Sequence, residues 1–208
     1  MPRSQKRNRN AVGGATAEPL TTAEVKTHLR IDHANDDDYI DTLIIAATDY
    51  TETVCSRSLI QGTFDLYLDA FPVDSCESIW LPSPPLISIT SIKYYDDLDV
   101  EQTWSAAEYE VDTDHPYKGH VYPARTYTWP NARNFHKSVH IEYIAGYDDS
   151  GASPEDLADN IPQELKHAML LLIGHWYENR EDTAAGIKID TIPTAYDALI
   201  ANSKVRAF

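Results

Sequence analysis

Between Asp37 and Ser56, apolar residues recur at spacings of three and four: Ile40, Leu43, Ile44, Ala47, Tyr50 and Val54. This period predicts an amphipathic helix, the cleanest in the first half of the chain. A shorter helix precedes it. Thr21 with Glu24 three residues on makes a capping box, and Leu20 and Val25 stand at the positions of a hydrophobic staple. Val25 and Leu29 give only a narrow stripe, so this helix ends near Ile31, and the acidic linker DHANDDD follows. From Gly62 the period changes to two. Phe64, Leu66 and Leu68 alternate with polar neighbours, and short runs follow at 79–81, 87–94, 103–105, 109–111, 119–122 and 139–145. The 87–94 run slips phase near Thr90. Short strands at this spacing predict an antiparallel sheet or small barrel rather than βαβ units. The helical period returns at Asn160, with Pro162 in the first turn, where its missing N–H costs nothing. Leu165, Ala168, Met169, Leu172 and Trp176 form one stripe, and a short helix over 194–201 carries Tyr196, Leu199 and Ile200.

The order predicts an α+β protein: a small helical bundle with an antiparallel β insertion between the second and third main helices. The expected divisions are a flexible basic arm over 1–19, a helical core over 20–61 and 148–191, the insertion over 62–147, and a C-terminal segment over 192–208. Leu43, Ala47, Leu165, Met169, Leu172 and Trp176 are the expected core or subunit-packing residues.

Charge narrows the function. The chain of 208 residues carries −16, and its first ten residues hold Arg3, Lys6, Arg7 and Arg9 with no acid, which leaves −20 on the rest. A body this acidic repels a phosphate backbone, which argues against a DNA-gripping domain, though DNA could slide past it without sticking. The basic start leads into no apolar run, which argues against a secretory signal, and no stretch nears the roughly 18 apolar residues of a membrane span. Cys55 and Cys76 are too few for a disulfide scaffold or a zinc module.

Candidate chemistry is sparse. Glu164 and His167 form a Glu-x-x-His, but a di-iron bundle needs a second copy and further glutamates. His28, His33 and Asp36–Asp38 could gather a cation, yet the segment lacks the Gly and the Glu of a calcium loop. There is no nucleophile elbow and no Gly-rich phosphate loop. The residues therefore predict no catalytic site, no metal and no cofactor, with a metal-dependent hydrolase using the His and Asp of the N-terminal helices as an alternative. A carbohydrate- or peptide-binding β module is another, since eight of the 13 tyrosines fall at 94–147, in or beside the insertion. Tyr127 and Trp129 are its expected exposed interface loop.

The pieces also carry a resemblance. L-T-x-A-E-x-K-x-H-L-R-I-D at 20–32 and D-D-Y-I-D-x-L-I-x-A-A at 37–47 are followed by L-P-x-P-P-L at 81–86 and I-x-Y-I-A-G-Y at 141–147. Then comes I-P-x-x-L-K-x-A-M-L-L-L-x-x-H-W-Y-E-N-R-E at 161–181. This resembles the head–tail connector, or adaptor, proteins of long-tailed bacteriophages and gene transfer agents. The resemblance implies a non-enzymatic ring, typically of twelve copies, in the neck of a particle made in the host cytoplasm. Such a ring sits beneath the portal protein, receives a stopper or tail-completion protein, and lets the genome through. It also implies a C-terminal reach to the portal. That fits a short helix with no partner for Tyr196, Leu199 and Ile200, ending in Lys204, Val205, Arg206 and Phe208.

Overall fold

Alternation and helical period produce the elements where expected. The computed structural model describes the backbone of residues 3–8 and, in full, residues 18–74, 76–115, 117–147, 160–180 and 194–205. Most of the loop expected over 146–160, the loop containing Gly186, and Arg206 and Phe208 lie outside these. The structure is α+β with antiparallel sheets and divides into two units, residues 1–15 with 61–148 and residues 16–60 with 149–208.

In the helical unit, α1 (Thr22–Leu29) begins at the capping box: the Thr21 hydroxyl accepts from the Glu24 N–H, and the Glu24 carboxylate accepts from the Thr21 N–H. Arg30 ends it in the left-handed region. Leu20 and Val25, the staple pair, are both buried. α2 (Asp37–Cys55) buries Ile40, Leu43, Ile44, Ala47 and Cys55 on one side. α3 (Gln163–Glu178) buries Leu165, Ala168, Met169, Leu172 and Ile173, and it packs against α1, α2 and α4 (Thr194–Ile200). Trp176, expected to complete the α3 stripe, is only half-buried and sets its ring edge-on to Tyr50, 6.0 Å between centroids. Eleven residues at about 100° each return Trp176 to the side of Leu165, so it stays on the stripe; what sets it apart is its place in the last turn of α3.

Among the described residues, the β unit holds eight strands in two sheets. β1 (Arg3–Asn8), β2 (Gly62–Leu68), β4 (Leu86–Tyr95), β5 (Glu101–Thr103) and β8 (Val139–Ala145) form one sheet in the order β1-β2-β8-β4-β5. β3 (Ile79–Leu81), β6 (Tyr109–Asp112) and β7 (Gly119–Pro123) form the other in the order β3-β7-β6. Phe64, Leu66 and Leu68 lie opposite Tyr143, Ile141 and Val139, so the two alternating runs share one buried face. The phase slip near Thr90 is real: the β4–β8 register shifts between Ile89 and Ser91.

Residues 3–8 correct the expected flexible arm. They pair antiparallel with β2, Arg3 opposite Leu68 and Asn8 opposite Thr63. β8 occupies only one edge of β2, so the other presents unpaired backbone groups that any extended segment can satisfy. A charge-rich strand suits an outer edge, where it discourages further pairing.

At Gly119 the chain of β7 comes against Leu86 of β4. An added Cβ would stand 2.3 Å from Leu86 Cδ2 and 2.6 Å from its Cβ. Gly119→Ala is therefore expected to lower stability by about 1–3 kcal/mol through overpacking. Urea unfolding of the single variants and the double variant with Leu86→Ala would check this. The double should lose less than the two losses added together, because trimming Leu86 removes the contacts with its Cδ2 and Cγ and leaves only the one with its Cβ.

Candidate interface surfaces

Several sequence-predicted site residues turn out to be interior. Trp129 is 9% exposed. It stacks on Phe71 at 5.4 Å, leans on Trp104 at 5.3 Å, and donates its indole N–H to the carbonyls of Asp74 and Glu77. It is a core residue, which corrects the expected interface loop; a flat aromatic with a satisfied N–H gains more from burial than from display. Tyr127, two residues away, is exposed.

The C-terminal helix is corrected in the same sense. Tyr196 and Ile200 are fully buried within the helical unit, Leu199 is half-buried, and the segment belongs to that unit. The Tyr196 hydroxyl pairs with Thr51 Oγ1 at 3.1 Å, and the ring lies 5.9 Å from Tyr50. The Val205 N–H donates to the Cys55 carbonyl, Arg57 Nε donates to the Ser203 carbonyl, and Lys204 meets Asp197 at 3.5 Å. A seven-residue helix does find cover, on α2 and α3 of its own chain.

Burial pushes the Tyr196 phenol up to about 12, against the opposing hydrogen bond from Thr51. In the unfolded chain it titrates near ~10. A raised folded-state value means the contribution is intact below pH ~10 and is lost as pH rises toward ~12. Wild type is therefore expected to lose denaturant resistance over that window more steeply than Tyr196→Phe. Urea midpoints for both proteins, measured in steps from about pH 9 to about pH 12, would show it; parallel curves would remove Tyr196 as the cause.

The described part of the H-W-Y-E-N-R-E stretch, residues 175–180, ends α3 and joins it to the start of α2. Arg180 lies over the rings of Tyr39 and Tyr177, 4.7 and 5.1 Å from their centroids, and 3.8 Å from Asp36. The Tyr177 hydroxyl donates to the same carboxylate. One acidic residue of the linker is thus a structural tie.

The expected metal candidates do not converge: among the described residues, no three His, Cys, Asp or Glu side chains are placed to hold an ion. His28 and His167 do meet edge-on, 6.2 Å apart, on an open groove between α1 and α3 of about 530 Å³. Leu20, Ala23 and Leu170 give it apolar surface, and Glu24 and Lys166 also line it. Lys166 is 7% exposed and bonds Glu24 Oε1 at 2.9 Å. Burial acts to raise the Glu24 carboxyl, but the Thr21 N–H and Lys166 outweigh it, and the net is below the ordinary value.

A second surface shows in the sequence only as a turn. The β4–β5 hairpin and the loop before β8 expose Tyr95, Leu98, Val100 and Phe135, half of the eight large apolar residues left exposed among the described residues. Leu98 is 83% exposed. Two apolar residues inside DDLDVEQ are the available signal, since a purely solvated turn has no use for them.

The whole of this architecture is shared with known proteins. A family model described as "Head completion protein" matches residues 18–195. No curated protein matches the sequence. Among solved structures, a chain of "Neck of empty GTA particle computed with C6 symmetry" superposes with a TM-score of 0.72 at 24% identity, covering 99% of this chain and 97% of that one. A chain of "Virion of native gene transfer agent (GTA) particle" gives 0.73 at 23%, over 98% and 96%. One from "Neck of native GTA particle computed with C12 symmetry" gives 0.64 at 23%, over 99% and 97%.

Proposed function

The chain belongs to the head completion protein family, and from that premise we propose that it forms a ring beneath the portal protein, joining the head of the particle to its tail. As a member of that family it is a structural particle protein and not an enzyme. The observation that carries the ring reading is the family match over residues 18–195, reinforced by a fold shared almost end to end with chains of gene transfer agent neck and virion structures. Those neck structures were computed with C6 and C12 symmetry, which agrees with a ring, here of twelve copies. Portal protein on one side and a stopper or tail-completion protein on the other are the proposed partners. A chain at −16 suits a conduit that DNA passes without adhering.

The portal-docking role proposed for the C-terminus narrows with the burial of Tyr196 and Ile200. Lys204, Val205, Arg206 and Phe208 remain, a basic and apolar end on an acidic chain. Deleting residues 192–208 would open the helical core, so the informative variant removes 206–208 alone. It should keep the wild-type circular dichroism and lose portal binding in a pull-down. The ring itself is tested by light scattering and electron microscopy of the protein mixed with its portal, where a persistent monomer would overturn the reading.

A further inference from the structure

We propose that successive copies are joined by the β4–β5 hairpin of one copy seating in the α1–α3 groove of the next. The inference rests on the ring reading above and specifies its contact. The hairpin is built as a rigid knob. Asp96 accepts from the N–H groups of Leu98 and Val100 and from Gln102 Nε2, and Asp99 takes a left-handed φ of 64°. From the flanking loop, Arg133 meets Asp99 at 2.9 Å and donates its N–H to the Tyr95 carbonyl, while Asn131 bonds Asp97. These bonds hold Leu98 and Val100 outward in one geometry, so docking them forfeits little conformational freedom.

The receiving side must fit both the shape and the charge of this knob. Asp96, Asp97, Asp99 and Glu101 surround the hairpin's apolar residues; Lys93 meets Glu101 and Arg133 meets Asp99, which leaves the hairpin net acidic. Over most of a chain at −16, a second copy would answer acid with acid. The α1–α3 groove is different. Its apolar residues are bordered by the Lys166–Glu24 ion pair, whose charges cancel, and by His28 and His167, so it sets no net negative charge against the hairpin, and about 530 Å³ is within the range that binding clefts offer. Knob and groove are different surfaces of one chain, so the contact is head-to-tail, the kind that closes into a ring when the rotation per copy allows.

The test uses full-length protein assembled with portal. Leu98→Cys and Ala23→Cys are made separately, each with Cys76→Ser to remove the exposed thiol, then mixed and oxidised. A disulfide-linked pair of chains is expected from the mixture and from neither variant alone. Leu98→Asp, at a site too exposed to affect folding, should weaken self-association at least about tenfold, as expected where a charge replaces an apolar side chain central to an interface. Rings that form without the cross-link would overturn the hairpin contact and leave the ring standing. Rings from Leu98→Asp that no longer bind portal would assign the hairpin to the portal and equally overturn it. If wild type never assembles, the ring reading fails first and takes this contact with it.

Discussion

Trp129→Ala is expected to lower the stability of the β unit by about 3–5 kcal/mol, the range for truncating a buried Trp. Three losses combine. The ring leaves its stack on Phe71 and its packing on Trp104, and through them a cluster that includes Tyr94 and Tyr109. The indole N–H leaves the carbonyls of Asp74 and Glu77. The cavity opens where the loops after β2, β5 and β7 converge, so their side chains cannot close it without moving backbone. Trp129→Phe should cost less, since it keeps an aromatic ring and forfeits mainly the two hydrogen bonds. Urea unfolding followed by near-ultraviolet circular dichroism would resolve the series; an unchanged midpoint for Trp129→Ala would refute the placement of this residue in the core.

Glu52→Ala should destabilise the helical unit by about 2–4 kcal/mol, because a buried donor left without its acceptor costs about 1–3 kcal/mol and more than one donor is stranded here. Glu52 is 6% exposed at the end of α2. Its Oε1 accepts from the Leu59 N–H at 2.9 Å and lies 3.4 Å from both the Ile60 N–H and the Ser58 hydroxyl. One carboxylate therefore shapes the turn by which the chain leaves the helix. Glu52→Gln keeps an oxygen in place and should recover much of the loss. Equal losses for Gln and Ala, read from urea midpoints, would show that the charge, rather than the acceptor geometry, holds the turn.

The elements are legible in the sequence because their causes are local. The capping box of Thr21 and Glu24, the stripe of α2 and the alternation of Phe64, Leu66 and Leu68 each depend on residues within a turn or two. Leu43, Ala47, Leu165, Met169 and Leu172 are likewise legible as buried, since a stripe can be covered only on its own side. Of the two proposed surfaces, the groove is visible only in fragments, as His28 in one helix and His167 in another, each weighed in the sequence for a different metal site. The hairpin is visible as a turn, with nothing local to reveal that its leucine is held outward.

By itself, then, the sequence determined periods, caps and strand alternation, together with the acidic balance of the chain. Tertiary structure decided which aromatic residues are inside and where residues 3–8 and 194–205 are held. Trp129 is buried through partners more than fifty positions away, and Tyr196 through Thr51, 145 positions away. Residues 3–8 become a strand because β2 has an unpaired edge. No window of neighbouring residues encodes such facts: burial of a loop residue and pairing of an edge are properties of the surface that arrives from elsewhere in the chain.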